Sequence, residues 1–281
     1  MDSLSVCSEP MPGRPISFLS DFGLIDEFVG VVHGVIERIA PGTEIIDVTH
    51  GVPRGDVRGG ALTLLRAVQY LPHGVVLAVV DPGVGGARKA IAAETAWGHF
   101  VGPDNGLLAP AVAMVGGASR IVSLEAQAFR LPREGVTFDG RDVFAPAAAV
   151  LASGEASLDE LGPELSPAAI TPLLLPLVDH SEGVVDGEVW WIDTFGNAQT
   201  NISPEDLRLV GLAPGGPVIV RVGATEYEME WRDAYEGEGT GVVHVDSYGM
   251  MAVAVPGGRA DETFRMTVGM SVGFRSPRAA E

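Results

Sequence analysis

The chain has 281 residues, enough for two domains at ~100–200 residues each, and 46% of them are hydrophobic against 20% charged, a balance that excludes a disordered protein. A formal charge of −19 argues against nucleic acid and anionic membranes as partners, whose binding depends on Lys and Arg neutralising phosphates, and is compatible with a cationic small molecule. Cys7 is the only cysteine, which excludes an intramolecular disulfide and a cysteine metal cluster.

Residues 1–14 carry an acidic residue and no apolar core, so they read as a disordered extension and not as a signal peptide, and a cytoplasmic location is expected. Between 15 and 163, apolar runs alternate with amphipathic segments. PISFLS reads as a strand, DEFVGVVHGVIERIA as a helix, TEIIDVTH as a strand, DVRGGALTLLRAVQYL as a helix and GVVLAVVD as a strand. AIAAETA and SRIVSLE read as further strands, and RDVFAPAAAVLASG as a helix stopped by Gly154. This alternation predicts a layered α/β domain with a largely parallel sheet. Residues 164–187 are rich in proline and predict an extended connector. From 188 to 281 the segments EVWWIDTFGNAQTNI, PVIVRVGA, TEYEMEWRD, GVVHVDSYGMMAVAV and ETFRMTVGMSVGF are short and β-rich, which predicts a smaller all-β sandwich or barrel. The longest apolar runs, GVVLAVV and TPLLLPLV, fall far short of the ~18 residues of a membrane span.

Four polar clusters stand at expected strand ends or turns. In LSDFGLIDEF, Asp21 follows the first strand, where ligands of open α/β sheets bind, and Asp26 is an N-cap or first-turn residue or a ligand contact. His50, after the second strand, reads as structural. In GVVLAVVDPGVGGARKA an apolar strand ends on Asp81, followed by a glycine-rich loop and Arg88, and Asp104 and Asn105 form a turn nearby. In TFDGRDVFAP, Asp139, Arg141 and Asp142 precede a helix that Asp142 could favour at its start. There is no dinucleotide fingerprint, P-loop or nucleophile elbow, and the histidines are too scattered along the sequence for a zinc motif. No cofactor and no metal is expected.

Six ordered stretches, SDFGLIDEFVG, IIDVTHGVPRGDVRGGA, VVDPGVGGAR, VGPDNGLL, TFDGRDVFAPAAA and IDTFGNAQTNI, resemble the S-adenosylmethionine hydroxide adenosyltransferases, the hydrolytic relatives of fluorinase and chlorinase. The resemblance spans about residues 15–275 and implies an N-terminal α/β domain joined to a C-terminal β-barrel. It also implies a homotrimer with each site between neighbouring subunits. The implied reaction is attack of water on ribose C5′ of S-adenosyl-L-methionine, releasing adenosine and L-methionine. By position, Asp81, Arg88 and Asp139 match the water-activating set, Asp21 the ribose-diol acceptor and Asp26 a contact of the methionine ammonium. Asp193 and Phe195 match the segment that contacts the methionine moiety, Asn197 the adenine reader and Ser247 a residue near the methionine carboxylate.

Three departures stand out. Asp139 replaces the histidine usual in the water-activating set, Gly55 replaces an aromatic residue before Asp56, and Pro256 stands where an asparagine is common. Two carboxylates at Asp81 and Asp139 would oppose each other and repel an incoming halide, which puts halide transfer last. A binding homologue of S-adenosylmethionine or adenosine, without turnover or with weak turnover, is the alternative to hydrolysis.

Overall fold

The computed structural model describes residues 13–181, 183–235 and 241–277. Cys7 and residues 1–12 of the expected extension lie outside the described residues, whereas the Arg14 backbone N–H donates to Ala152 O at 2.9 Å. The chain divides into two units at Leu173/Leu174, inside the stretch expected as a connector.

The first unit runs in chain order β1 (Ile16–Ser20), α1 (Phe28–Ile39), β2 (Ile45–Thr49), α2 (Val57–Ala67), β3 (Val75–Val79), β4 (Ala90–Glu94), β5 (His99–Pro103), α3 (Ala109–Met114), β6 (Arg120–Ser123), α4 (Ala145–Ser153) and β7 (Glu164–Leu165). Its sheet has the order β2-β1-β3-β5-β4-β6-β7. The pairings from β2 through β5 are parallel, and β4, β6 and β7 extend the sheet antiparallel. Continuous apolar runs form the central strands because both faces are covered. Ile16, Phe18, Val75, Leu77 and Val79 pack with α1 and α4, while Leu19, Val76, Ala78 and Val80 pack with α2 and α3. Along α1 the stripe Val29, Val32, Val35 and Ile36 is buried, the spacing of one helix face. The helix read over 141–154 divides into a π-helical turn at Gly140–Phe144 and α4.

In the second unit, β8 (Asp179–Ser181), β9 (Val184–Ile192), β10 (Ala198–Thr200), α5 (Pro204–Leu209), β11 (Pro217–Val222), β12 (Thr225–Trp231), β13 (Val242–Val245), β14 (Met251–Ala254), α6 (Ala260–Thr263) and β15 (Ser271–Arg275) follow. Seven strands close in the order β9-β10-β14-β13-β12-β11-β15 and back to β9, with β8 added outside on β9. The expected small all-β domain is therefore a closed barrel, filled by Val185, Val220, Trp231, Val253 and Phe274.

Candidate active site

Strand β1 lies between β2 and β3, so the chain passes from one side of β1 to the other between its second and third strands. Such a reversal opens a crevice at the carboxyl ends of the two neighbouring strands. Ser20 pairs with Val79 in the register of β1 and β3, and Asp21 and Asp81 follow these ends. Together with Asp26 they border a cleft of about 600 Å³, a volume suited to a small-molecule ligand.

Asp21 is half-buried, and its Oδ2 accepts from the Gly55 backbone N–H at 2.7 Å. Its other oxygen accepts no hydrogen bond among the described residues. Gly55 takes a φ of 72°, the left-handed region where a side chain is strained, and this turn brings its N–H to Asp21. The aromatic wall that Gly55 removes from the sequence pattern has a counterpart in Phe22, Phe28 and Phe138, which line the same cleft. Phe138 meets Phe28 and Phe22 edge-on, at centroid separations of 5.0 and 5.7 Å. Gly140 is required behind this wall, since a Cβ there would lie 2.8 Å from Phe22 Cζ.

Arg88 joins the two carboxylates that the sequence places in conflict. Its Nε donates to Asp81 Oδ1 at 3.0 Å and Oδ2 at 2.9 Å, and its Nη2 donates to both Asp81 and Asp139. Arg133, which sequence reasoning missed, donates from Nη1 to the other oxygen of Asp139. Two carboxylates and two guanidiniums therefore alternate, and the like-charge conflict is resolved by interposed arginines. Asp81, Asp139 and Arg88 are nearly removed from solvent, their side chains 6%, 7% and 13% exposed. Burial would lower the Arg88 pKa, but its bonds to Asp81 and Asp139 more than offset this and hold the guanidinium charged. The Arg88 guanidinium also stands 5.4 Å from the centroid of the Phe144 ring. Asp81 borders the large cleft, whereas Asp139 lines a separate cavity of about 290 Å³ on the Arg133 side.

The remaining polar residues of this unit separate into cleft and scaffold. Asp26 is not a cap: α1 starts at Phe28 after Glu27, and the exposed Asp26 borders the cleft. Asp142 is not a cap but lies in the first turn of the π-helical segment that leads into α4; it is buried and accepts from Arg141 Nε at 2.6 Å. Asn105 Nδ2 donates to Val80 O at 2.8 Å and Asp104 Oδ1 accepts from Thr171 N at 2.7 Å, so this turn braces the loop after β3. His50 is buried with its Nδ1 2.7 Å from Ser20 Oγ.

Asp193, Phe195, Asn197 and Ser247 belong to the barrel unit. Asp193 Oδ1 accepts from the backbone N–H groups of Phe195 and Asn197 at 2.9 Å, and Oδ2 accepts from Asn197 Nδ2 at 2.9 Å. This leaves the Asn197 side-chain oxygen with no hydrogen bond among the described residues. Phe195 is 75% exposed, an apolar ring presented to solvent at the tip of this loop. Ser247 is exposed in the turn after β13, where Asp246 Oδ1 accepts from the N–H groups of Tyr248 and Met250 at 2.8 and 2.9 Å. Burial, then the charges of Asp193 and Asp246, push the Tyr235 phenol above its ordinary range. Its ring packs edge-on against His244 at 4.7 Å.

Comparison with known proteins gives this geometry a context. Residues 16–162 match the model of the SAM hydroxide adenosyltransferase N-terminal domain and residues 187–273 that of the C-terminal domain. A Salinispora tropica protein named (R)-S-adenosyl-L-methionine hydrolase is 46% identical over 254 residues, covering 90% of this chain and 95% of its own length. A Thermus thermophilus protein of the same name is 42% identical over 268 residues, covering 92% and 98%. The crystal structure of an uncharacterized conserved protein from Thermotoga maritima superposes with a TM-score of 0.86 at 36% identity, over 92% of this chain and 99% of that one. With both domain models matched in order over most of its length, the chain belongs to the S-adenosylmethionine hydroxide adenosyltransferase family.

Proposed function

We propose that this chain hydrolyses (R)-S-adenosyl-L-methionine, water attacking ribose C5′ and yielding adenosine and L-methionine. The observation that carries this reading is the pair Asp21 and Asp81 on one cleft, with Asp81 clamped in place by Arg88.

A sulfonium leaves as a neutral thioether and needs no acid. The protein's task is to hold water in line with the C5′–S bond and to accept its proton. Asp81 accepts a hydrogen bond from the attacking water and takes the proton, while Arg88 fixes the plane of its carboxylate. Asp139 and Arg133 act from behind, holding Arg88 in register. Asp21 has one oxygen committed to Gly55 and offers the other to the ribose diol. Asp26 faces the methionine ammonium, and the rings of Phe22, Phe28 and Phe138 border a cationic ligand. An acidic cleft attracts the positive sulfur, but that charge disappears in the transition state, so the attraction serves binding more than rate.

On the barrel, Phe195 stacks on the ligand, the Asn197 side-chain oxygen accepts from the adenine amino group, Asp193 holds that amide and lies near the methionine moiety, and Ser247 binds the methionine carboxylate. The active assembly is a homotrimer in which the α/β unit of one chain works with the barrel of its neighbour, and the activity is cytoplasmic. Among the described residues no helix is long and apolar enough to cross a membrane.

Chromatography of products from each sulfonium epimer, with and without chloride, tests the reading. Adenosine formed from the (R) epimer supports it. Calorimetric binding without product would move the chain to a binding homologue, and a 5′-halo nucleoside to halide transfer. Light scattering that finds a fully active monomer would refute the assembly.

A further inference from the structure

A second cluster lies at the opposite side of β1 from β3. His33 on α1, Asp47 on β2 and His50 just after β2 bring their donor atoms within 4.8 Å of one another. The Nε2 atoms of His33 and His50 lie 2.9 and 3.0 Å from the same oxygen of Asp47. The sequence gives no spacing cue, because a helix face and a strand end bring the three residues together.

His50 carries the second observation. Its side chain is 3% exposed, and its Nε2 makes no aligned hydrogen bond despite the approach to Asp47. The other ring nitrogen lies 2.7 Å from Ser20 Oγ, which also accepts from the Phe22 backbone N–H at 3.3 Å. When Nδ1–H donates to Ser20, the lone pair of Nε2 points into the cluster, the tautomer that a metal requires. Phe18 packs edge-on against the His50 ring at 4.6 Å and restricts its rotation.

We propose that His33, Asp47 and His50 bind one divalent cation of the zinc, cobalt and nickel class, through the two Nε2 atoms and an Asp47 oxygen, with water in the remaining positions. Two imidazoles select such ions over magnesium and calcium, which favour all-oxygen sets. Donors separated by 2.9 and 3.0 Å suit adjacent ligands about 90° apart that each stand ~2.0–2.2 Å from a common ion, the octahedral arrangement, with waters completing the shell. The ion would pin edge strand β2 to α1 and, through Ser20, to the end of β1 beside Asp21. Its role is structural and separate from hydrolysis.

The test uses the untagged full chain, stripped with chelator and titrated with Zn²⁺ by calorimetry and with Co²⁺ by visible absorption. One equivalent per chain is expected, with a ligand-field spectrum for Co²⁺ and a melting temperature that rises with free Zn²⁺. His33→Ala and Asp47→Asn alter partly exposed side chains, and each should weaken Zn²⁺ by at least ~10-fold while leaving metal-free circular dichroism unchanged. Absence of stoichiometric binding, or binding undiminished in both variants, overturns the proposal.

Discussion

Replacing Asp139 by His puts an imidazole into a network built for a carboxylate. In the native chain Asp81 and Asp139 balance Arg88 and Arg133; with a neutral histidine, one guanidinium loses its partner. Breaking a fully buried ion pair costs about 3–5 kcal/mol, but Arg133 is 23% exposed and Arg88 keeps Asp81, so about 1–3 kcal/mol is expected here. For a unit of this size that lowers Tm by roughly 2–12 °C. Arg133→Gln added to Asp139→His removes the stranded charge and should recover much of the loss. Scanning calorimetry on the wild type, both single variants and the double variant closes a double-mutant cycle, with a coupling of at least about 1 kcal/mol expected. Effects that add to within about 0.5 kcal/mol would show that Arg133 and Asp139 are not energetically linked, and the alternating network would be refuted.

Other expectations follow from single contacts. On the proposed ribose contact, Asp21→Ala removes charge-assisted bonds of about 1.5–3 kcal/mol, so affinity for (R)-S-adenosylmethionine should fall ~10- to 150-fold by calorimetry, with Tm lowered only by the lost bond to the Gly55 N–H. Gly140→Ala drives a methyl group against Phe22, which should cost about 1–3 kcal/mol in chemical denaturation and raise KM through the displaced wall. Burial, and then the charge of Arg14, hold the His99 imidazole below its ordinary value of 6.5, with Glu94 opposing in part. The folded state therefore favours neutral His99. Its contribution to stability is present above pH 6.5 and is lost as pH falls through the folded-state value, and His99→Gln should flatten that decline in a pH series of melting curves.

The alternation of apolar runs and amphipathic stripes made both layers of the α/β unit readable, because strands covered on two faces need uninterrupted apolar residues. β5 and α3 escaped that reading: HFVGP is followed directly by the Asp104–Asn105 turn, whose residues dominate the pattern, and α3 is only six residues long. The places of Asp21 and Asp81 just past strand ends were legible from the apolar runs before them, whereas the pairing of Arg88 with Asp81 emerges only in the fold. The aromatic wall was not, since Phe22, Phe28 and Phe138 share no helical or strand period and meet only through the fold. Arg133 was hidden for a related reason, as nothing in PREGVTF distinguishes an ion-pair partner from a surface arginine. Without Arg133, Asp139 reads as an unbalanced carboxylate; with it, the substitution for histidine becomes one half of a charge pair.

The most direct test of the central claim is to run the reaction in oxygen-18 water and locate the label by mass spectrometry. Hydrolysis at C5′ predicts one heavy oxygen in the 5′-hydroxyl of adenosine from the (R) epimer and none in methionine, with Asp81→Asn slowing its appearance by ~10²-fold or more. Unlabelled adenosine, label in methionine, or an unchanged rate in Asp81→Asn would contradict water attack assisted by Asp81.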